Sequence, residues 1–296
     1  MIQRRIAAAL GAPPEAADDV APLVKITTSG DRIQDRRLLE VGGKGLFTKE
    51  IEAALLEGRI DCAVHSLKDM PAELPPGLVI AAAPEREDPR DAFLSPVAGS
   101  LADLPQGARL GTASLRRQAQ ALFRRPDLAL VMLRGNVDTR IAKLDAGEAD
   151  ALVLATAGLN RLGLAGLVRG HIDPIEQPPA PGQGALAIQT RAEDAQSAWL
   201  AALRHRPTLL AVAAERGALL ALEASCRTAM GAYATLEGRR LSLVVEALTP
   251  DGARRFRREG EVEAGGADAE AAARSLGLRL GEAVQAEGGE ALRLET

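Results

Sequence analysis

At 296 residues, with 47% apolar and 26% charged side chains, the chain is long enough for two or three domains with cores of their own, and its composition is that of a globular protein. A net charge of −4 and an aromatic content of only 2% exclude a general nucleic-acid-binding face and a base-stacking platform. No cationic segment leads into an apolar one, and no apolar run reaches bilayer length, so neither an export signal nor a membrane partner is expected and the protein reads as cytoplasmic. Cys62 and Cys226 lie far apart in a sequence without secretory features, which disfavours a disulfide. No Cys/His spacing suggests a metal, and His65, His171 and His205 are scattered. Arginine outnumbers lysine 31 to 5, so the placement of arginines must carry the argument rather than their abundance.

In chain order, residues 23–27 read as a strand. Gly42-Gly43-Lys44-Gly45 resembles a phosphate loop but lacks glycine at Leu38 and a hydroxyl residue after Lys44. Thr48 is placed to cap a helix with Ile51, Ala54 and Leu55 on its buried face, stopped by Gly58. Residues 60–64 read as a buried strand running out at His65-Ser66-Leu67-Lys68-Asp69-Met70-Pro71. Residues 84–90, charged and carrying two prolines, read as a linker. A strand from 109 to 111 leads to Ser114, a good N-cap for a helix with Leu115, Ala119, Leu122 and Phe123 on one face. A strand over 128–133 precedes a helical face of Val137, Ile141 and Leu144, closed by Gly147. The strand over 151–155 leads into Gly158-Leu159-Asn160-Arg161, and Pro178-Pro179-Ala180-Pro181-Gly182-Gln183-Gly184 reads as a second linker. A long helix over 209–224, strands over 232–236, 241–247 and 254–262, and a final helix over 267–285 follow.

Alternating strands and helices over the first 200 residues imply parallel, doubly wound α/β sheets. The expected architecture is two periplasmic-binding-protein-like doubly wound lobes, residues 1–84 plus 185–204 and residues 85–184, joined by a double crossover. An α+β domain with an antiparallel sheet, residues 205–296, completes it. Two crossings suggest a hinged cleft, a favoured place for a ligand.

The first turn of the 115–124 helix holds Arg116 and Arg117. Cations are disfavoured at a helix N-terminus, so two guanidiniums there suggest an anionic ligand. An isolated pair would be read as a solvated helix face, but Arg134, Arg140 and Arg161 recur at similar strand-to-helix junctions. Ligands of open α/β sheets bind beyond the carboxyl ends of strands. The candidates there are Lys68, Asp69, Thr112, Ser114, Arg116, Arg117, Arg134 and Arg161, with Arg140 one turn into its helix. Five arginines, one lysine and a single carboxylate suit a substrate bearing several carboxylates, and the surrounding cations should keep Asp69 ionised. Cys226, in a loop beside Arg227, is a candidate nucleophile or attachment point.

Lys44-Gly45-Leu46-Phe47-Thr48-Lys49-Glu50, His65-Ser66-Leu67-Lys68-Asp69-Met70-Pro71 and Gly111-Thr112-Ala113-Ser114-Leu115-Arg116-Arg117-Gln118 closely resemble the porphobilinogen deaminase (hydroxymethylbilane synthase) family. So do Leu133-Arg134-Gly135-Asn136-Val137-Asp138-Thr139-Arg140, Ala157-Gly158-Leu159-Asn160-Arg161-Leu162-Gly163 and Pro181-Gly182-Gln183-Gly184, in order from about residue 23 to about residue 235. The resemblance implies a transferase of haem biosynthesis that joins four porphobilinogen molecules head to tail, releasing ammonia each time. A dipyrromethane cofactor would be held by a thioether to the cysteine that maps onto Cys226. It further implies that Arg116, Arg117, Arg134, Arg140 and Arg161 bind pyrrole carboxylates, assisted by Lys44 and Lys68, with Ser66, Thr112, Ser114 and Gln183 as hydrogen-bonding neighbours. Asp69 matches the family's catalytic aspartate, and a monomer is implied.

Two departures stand out. The family's opening strand and turn, resembling Arg-Ile-Gly-Thr-Arg-x-Ser-x-Leu-Ala, has no counterpart here; Met1-Ile2-Gln3-Arg4-Arg5-Ile6 looks like part of the helix that should follow it. The cysteine is set in Ala224-Ser225-Cys226-Arg227-Thr228 rather than in the usual Gly-Gly-Cys or Gly-Ser-Cys. The competing expectations are therefore a two-lobed binding protein for an anionic ligand, and an N-terminally truncated, inactive deaminase.

Overall fold

A computed structural model describes residues 1–32, 47–222 and 228–292. Its strands, in chain order, are β1 (Ala63–Ser66), β2 (Leu78–Ala82), β3 (Asp91–Leu94), β4 (Arg109–Gly111), β5 (Ala129–Val131) and β6 (Ala151–Ala155). They continue with β7 (Gly170–His171), β8 (Leu186–Arg191), β9 (Ala229–Glu237), β10 (Arg240–Leu248) and β11 (Arg255–Glu263). The chain forms two compact units, Met1–Arg86 with Ala185–Leu209, and Glu87–Gly184 with Leu210–Thr296.

In the first unit β8 lies between β1 and β2 and runs antiparallel to both. Ile2 and Ile6 of the Ile2–Ala9 helix pack with Ala81, Ala82, Ile188, Leu200 and Leu203. The Lys49–Leu56 helix buries Leu55 with Ala63 and Leu78. Thr48 occupies its N-cap position but makes no side-chain capping bond, contrary to the sequence expectation. The strand expected over 23–27 does not form: Leu23 is 72% and Val24 58% exposed, and no ladder partner supports the segment among the described residues. The strand expected over 60–64 starts later, at Ala63, so that His65 and Ser66 belong to β1 itself.

The second unit contains two sheets. One has the order β5-β4-β6-β3-β7, with β4 parallel to both β5 and β6. Helices connect these three strands, as parallel neighbours require. The expectation of an entirely parallel sheet is corrected by β3, which runs antiparallel to β6 and to β7. Its residues Asp91–Leu94 are all buried, and a four-residue strand offers too little pattern to reveal its direction.

The other sheet is the antiparallel meander β9-β10-β11, turned at Gly238 and near Gly252. Its core contains Leu241, Leu243, Val245 and Ala247 of β10 with Ala214 and Ala218 of the Arg206–Ala221 helix and Ala273 and Leu276 of the Ala269–Gly288 helix. Residues Val244, Glu246 and Leu248, on the opposite face of β10, are buried as well. Leu248 packs there with Ala229 and with Ala119 of the Leu115–Arg124 helix, tying the two sheets into one unit. No helix among the described residues is long and apolar enough to cross a membrane.

Candidate functional site

The carboxyl ends of β4 and β5 are held side by side, the Thr112 amide donating to Val131 O at 3.0 Å. Chain leaving β4 turns at Thr112, whose Oγ1 accepts from the Ser114 amide at 3.2 Å, and enters the Leu115–Arg124 helix. Ser114 caps that helix as expected, but loosely, accepting from the Arg117 amide at 3.5 Å. Chain leaving β5 reaches Arg134 and turns at Gly135, whose φ of +116° suits glycine alone. A Cβ there would lie 2.8 Å from Thr139 Cβ. Asn136 then caps the Val137–Asp145 helix firmly, its Oδ1 accepting from the Thr139 amide at 2.8 Å, and Arg140 Nε donates to Gly135 O at 2.9 Å.

Arg116 and Arg117 are buried, at 5% and 8% exposure. Their guanidiniums share Asp91, at the start of β3: Arg116 Nη1 donates to Oδ2 at 2.7 Å, and Arg117 Nη2 to Oδ1 at 2.7 Å. Asp91 is a carboxylate that the expected inventory did not include. Burial opposes ionisation of Asp91, but the two adjacent guanidiniums outweigh it and hold the carboxyl well below the usual carboxylate range. Gln183 joins the group, donating from Nε2 to Asp91 Oδ1 at 2.9 Å and accepting from Arg117 Nη2 at 3.3 Å.

Even so, cationic charge is in excess. Burial, then the like charges of Arg117 and Arg134, lower the pKa of Arg140. Among the described residues, Arg116 Nε and Arg134 Nη1 are buried without a hydrogen-bond partner. Arg116 and Arg117 thus share the carboxylate of Asp91, and the charge of Arg117 reaches Arg140, which also feels Arg134. Two buried N–H groups left unmade cost about 1–3 kcal/mol each. An anionic group with free lone pairs relieves both the charge and the missing bonds.

A groove of about 760 Å³ elsewhere in this unit is different, although Arg124, Arg125, Arg255 and Arg257 line it. There Arg124 pairs with Glu176, Arg125 with Asp127 and Arg257 with Glu259, so the cations are already answered.

Arg161 is not in the first turn of a helix. Its helix starts directly after β6, at Thr156, and Arg161 is exposed in the last turn, where a cation is favoured by the dipole. In the first unit, Leu67–Asp69 form a 3₁₀ turn continuing β1, with Leu67 buried and Lys68 and Asp69 exposed. Half-buried Ser66 ends the strand.

At Asp69 desolvation raises the pKa, against the opposing charges of Lys68 and His65, so burial outweighs the cations expected to favour its ionised form. Lys68 and Asp69 itself present exposed side chains, and the raised pKa makes the carboxylate a stronger proton acceptor. His65 points inward, Nε2 lying 2.9 Å from Gln189 Oε1, and Gln189 Nε2 donates to Glu52 Oε1 at 3.2 Å. Burial lowers the His65 pKa, and a neutral ring donating from Nε2 fits the amide oxygen it meets. Lys44 and Cys226 lie outside the described residues.

Sequence reasoning missed Asp91, Gln120 and Glu246. Gln120 follows Arg116 by four positions, the spacing of side-chain neighbours on a helix, and that was the available signal. Glu246 interrupts the apolar run Leu243-Val244-Val245, which marks a carboxylate carried into a core.

Comparison with known proteins agrees with this chemistry. A family model described as porphobilinogen deaminase, dipyromethane cofactor binding domain, matches residues 1–198, and one described as porphobilinogen deaminase, C-terminal domain, matches residues 209–286. A porphobilinogen deaminase of Caulobacter vibrioides (strain NA1000 / CB15N) is 70% identical over 298 residues, covering 99% of this chain and 92% of that protein. Those of Caulobacter sp. (strain K31) and Phenylobacterium zucineum (strain HLK1) are 69% and 66% identical, each covering 99% of this chain and 93% of the relative. Among solved structures, the methionine binding protein MetQ overlays with a TM-score of 0.36 at 16% identity, over 53% of this chain and 74% of that one, a likeness too slight to bear on fold or ligand. With both family domains matched in order and relatives at 66–70% identity aligned over more than nine-tenths of their length, the chain belongs to the porphobilinogen deaminase family.

Proposed function

We propose that the chain acts as a hydroxymethylbilane synthase, a transferase that condenses four porphobilinogen molecules head to tail with release of ammonia. It works on a dipyrromethane primer carried by Cys226, as a cytoplasmic monomer with neither a nucleic-acid nor a membrane partner. The observation that carries this reading within the family is the excess of buried guanidinium charge around Asp91, with N–H groups of Arg116 and Arg134 still unmade. A primer bearing several carboxylates fits that donor set. When bound, it supplies the pyrrole carbon to which each new unit is joined.

The residues divide the work by their chemistry. Arg116, Arg117, Arg134 and Arg140 hold carboxylates, with Arg161, Lys68 and Lys44 extending the cationic set, and Thr112, Ser114, Ser66 and Gln183 provide hydrogen bonds. Asp69, an exposed carboxylate with its pKa pushed up by desolvation, offsets positive charge developing on the reacting pyrrole as ammonia leaves. It also takes and returns protons at the departing amine and the coupled carbon.

Intact-mass measurement of the purified protein, followed by peptide mapping, is expected to place a two-pyrrole adduct on Cys226. Asp69→Asn is expected to slow ammonia release by about 10²–10⁴-fold, the usual contribution of a positioned acid–base group. Protein that carries no adduct and releases no ammonia from porphobilinogen would overturn the reading in favour of a binding protein.

A further inference from the structure

Arg116 is held from behind by a chain of polar side chains that the carboxylate-binding reading does not use. Its Nη1 donates to Gln120 Oε1 at 2.9 Å as well as to Asp91, with Pro178 O a third acceptor at 3.3 Å. The amide of Gln120 is fully committed: Nε2 donates to Pro178 O at 2.9 Å and to Glu246 Oε1 at 3.0 Å. Gln120 is 4% and Glu246 1% exposed. Glu246 belongs to the C-terminal sheet, where Arg257 stands opposite it on β11, and the guanidiniums of Arg257 and Arg255 lie 3.8 and 3.6 Å from Oε2.

Among the described residues, the acceptors of Arg116 gather on Nη1, while Nε has none. A guanidinium so anchored cannot swing its bare edge towards Asp91. Its Nε side is left for a second carboxylate.

We infer that Gln120 and Glu246 are positioning residues for Arg116: Glu246 fixes the Gln120 amide, and Gln120 fixes the Arg116 guanidinium so that its Nε edge remains available to a substrate or primer carboxylate. The inference rests on the proposed function above. Glu246 orients Gln120 as an acceptor on its Arg116 side, because an amide that donates to both Pro178 O and Glu246 must turn its oxygen the other way. The backbone supports the arrangement. A Cβ on Gly231 of β9 would lie 2.2 Å from Pro178 O, so glycine there allows the acceptor shared by Arg116 and Gln120 to sit against the C-terminal sheet.

The test is Gln120→Leu, with Glu246→Leu and Glu246→Gln beside it. Two quantities are read: the KM for porphobilinogen, and the fraction of primer-free protein that gains the Cys226 adduct in a fixed time with porphobilinogen, measured by intact mass. Gln120→Leu and Glu246→Leu are expected to raise KM about tenfold, equivalent to ~1.4 kcal/mol of binding, and to slow loading similarly, with a smaller change in kcat. Glu246→Gln keeps an oxygen for the Gln120 amide and is expected to restore both readouts.

A double-mutant cycle with Arg116→Gln separates positioning from general stability: the effect of Gln120→Leu should largely vanish once Arg116 is gone. An effect that survives undiminished in the Arg116→Gln background overturns the inference. So does an unchanged KM with unchanged loading in folded Gln120→Leu, or, should that variant not fold, in Glu246→Leu. Failure of the parent protein to consume porphobilinogen would overturn the proposed function instead.

Discussion

Asp91→Asn keeps the shape of the side chain and removes the charge that Arg116 and Arg117 share. Two guanidiniums would then be buried without their counter-ion, and breaking a buried ion pair by removing one partner costs about 3–5 kcal/mol. The pH dependence follows from the depressed pKa of Asp91. A carboxyl whose folded pKa is depressed contributes its full stability above the unfolded pKa and loses it as pH falls towards the folded one. Urea unfolding should therefore show Asp91→Asn less stable by about 3–5 kcal/mol at neutral pH, with the gap closing as pH drops below about 4. A gap that stays constant into strong acid would mean that Asp91 serves only as a hydrogen-bond acceptor. The residue was hard to find from sequence because it begins a strand only four residues long, directly behind a stretch whose prolines and charges read as a linker. Arg116 and Arg117 were legible because a helix N-terminus is the wrong place for cations without an anion. That signal could not say whether the anion was a ligand or an aspartate from another strand.

At the scale of elements, the turns after β4 and β5 aim the arginines, and their geometry ranks them. Asn136 caps at 2.8 Å and Ser114 at 3.5 Å. Asn136→Ala should therefore cost about 1 kcal/mol by thermal melting, and Ser114→Ala clearly less, because so long a bond contributes little. If Ser114 also touches substrate, Ser114→Ala will lose activity out of proportion to its small loss of stability. Equal losses of stability in the two variants would contradict the ranking.

Gly135→Ala is a stronger perturbation, forcing a side chain into a left-handed backbone 2.8 Å from Thr139 Cβ. It is expected to cost about 1–3 kcal/mol and to raise KM by displacing Arg134. An unchanged KM would show that the loop tolerates the shift without moving the guanidinium. The turn after β4 was readable from Ser114 because a cap acts within a few residues, whereas the roles of Gly135 and Asn136 were not read from the sequence. Nor was the exposed position of Arg161, since the helix begins immediately after β6 and carries that arginine into its last turn. Residues 23–27 were misread for a related reason: their alternation resembles a strand, but a strand exists only where a ladder partner stands beside it.

For the whole molecule, the distribution of cores decides how it unfolds. The first unit is built on clusters around Ile188 and Leu55, whereas the second has its own clusters on both faces of the five-stranded sheet and beneath β9–β11. Two bodies with separate cores are expected to give a calorimetric enthalpy larger than the van't Hoff enthalpy, because one cooperative transition does not describe them. Glu215 provides the means to tell the bodies apart. Fully buried on the Arg206–Ala221 helix, it accepts from the Gly182 amide at 2.6 Å and from the Ala234 amide at 2.9 Å, joining the proline-rich segment to β9 inside the second unit. Glu215→Ala leaves two buried amides without an acceptor, at about 1–3 kcal/mol each. At roughly 2–4 °C per kcal/mol for a body of this size, the transition of the second unit should fall by several degrees or more while that of the first stays in place. If instead the whole endotherm moves down as one peak, with the two enthalpies equal, the units are thermodynamically a single body and their separate cores do not confer separate stability.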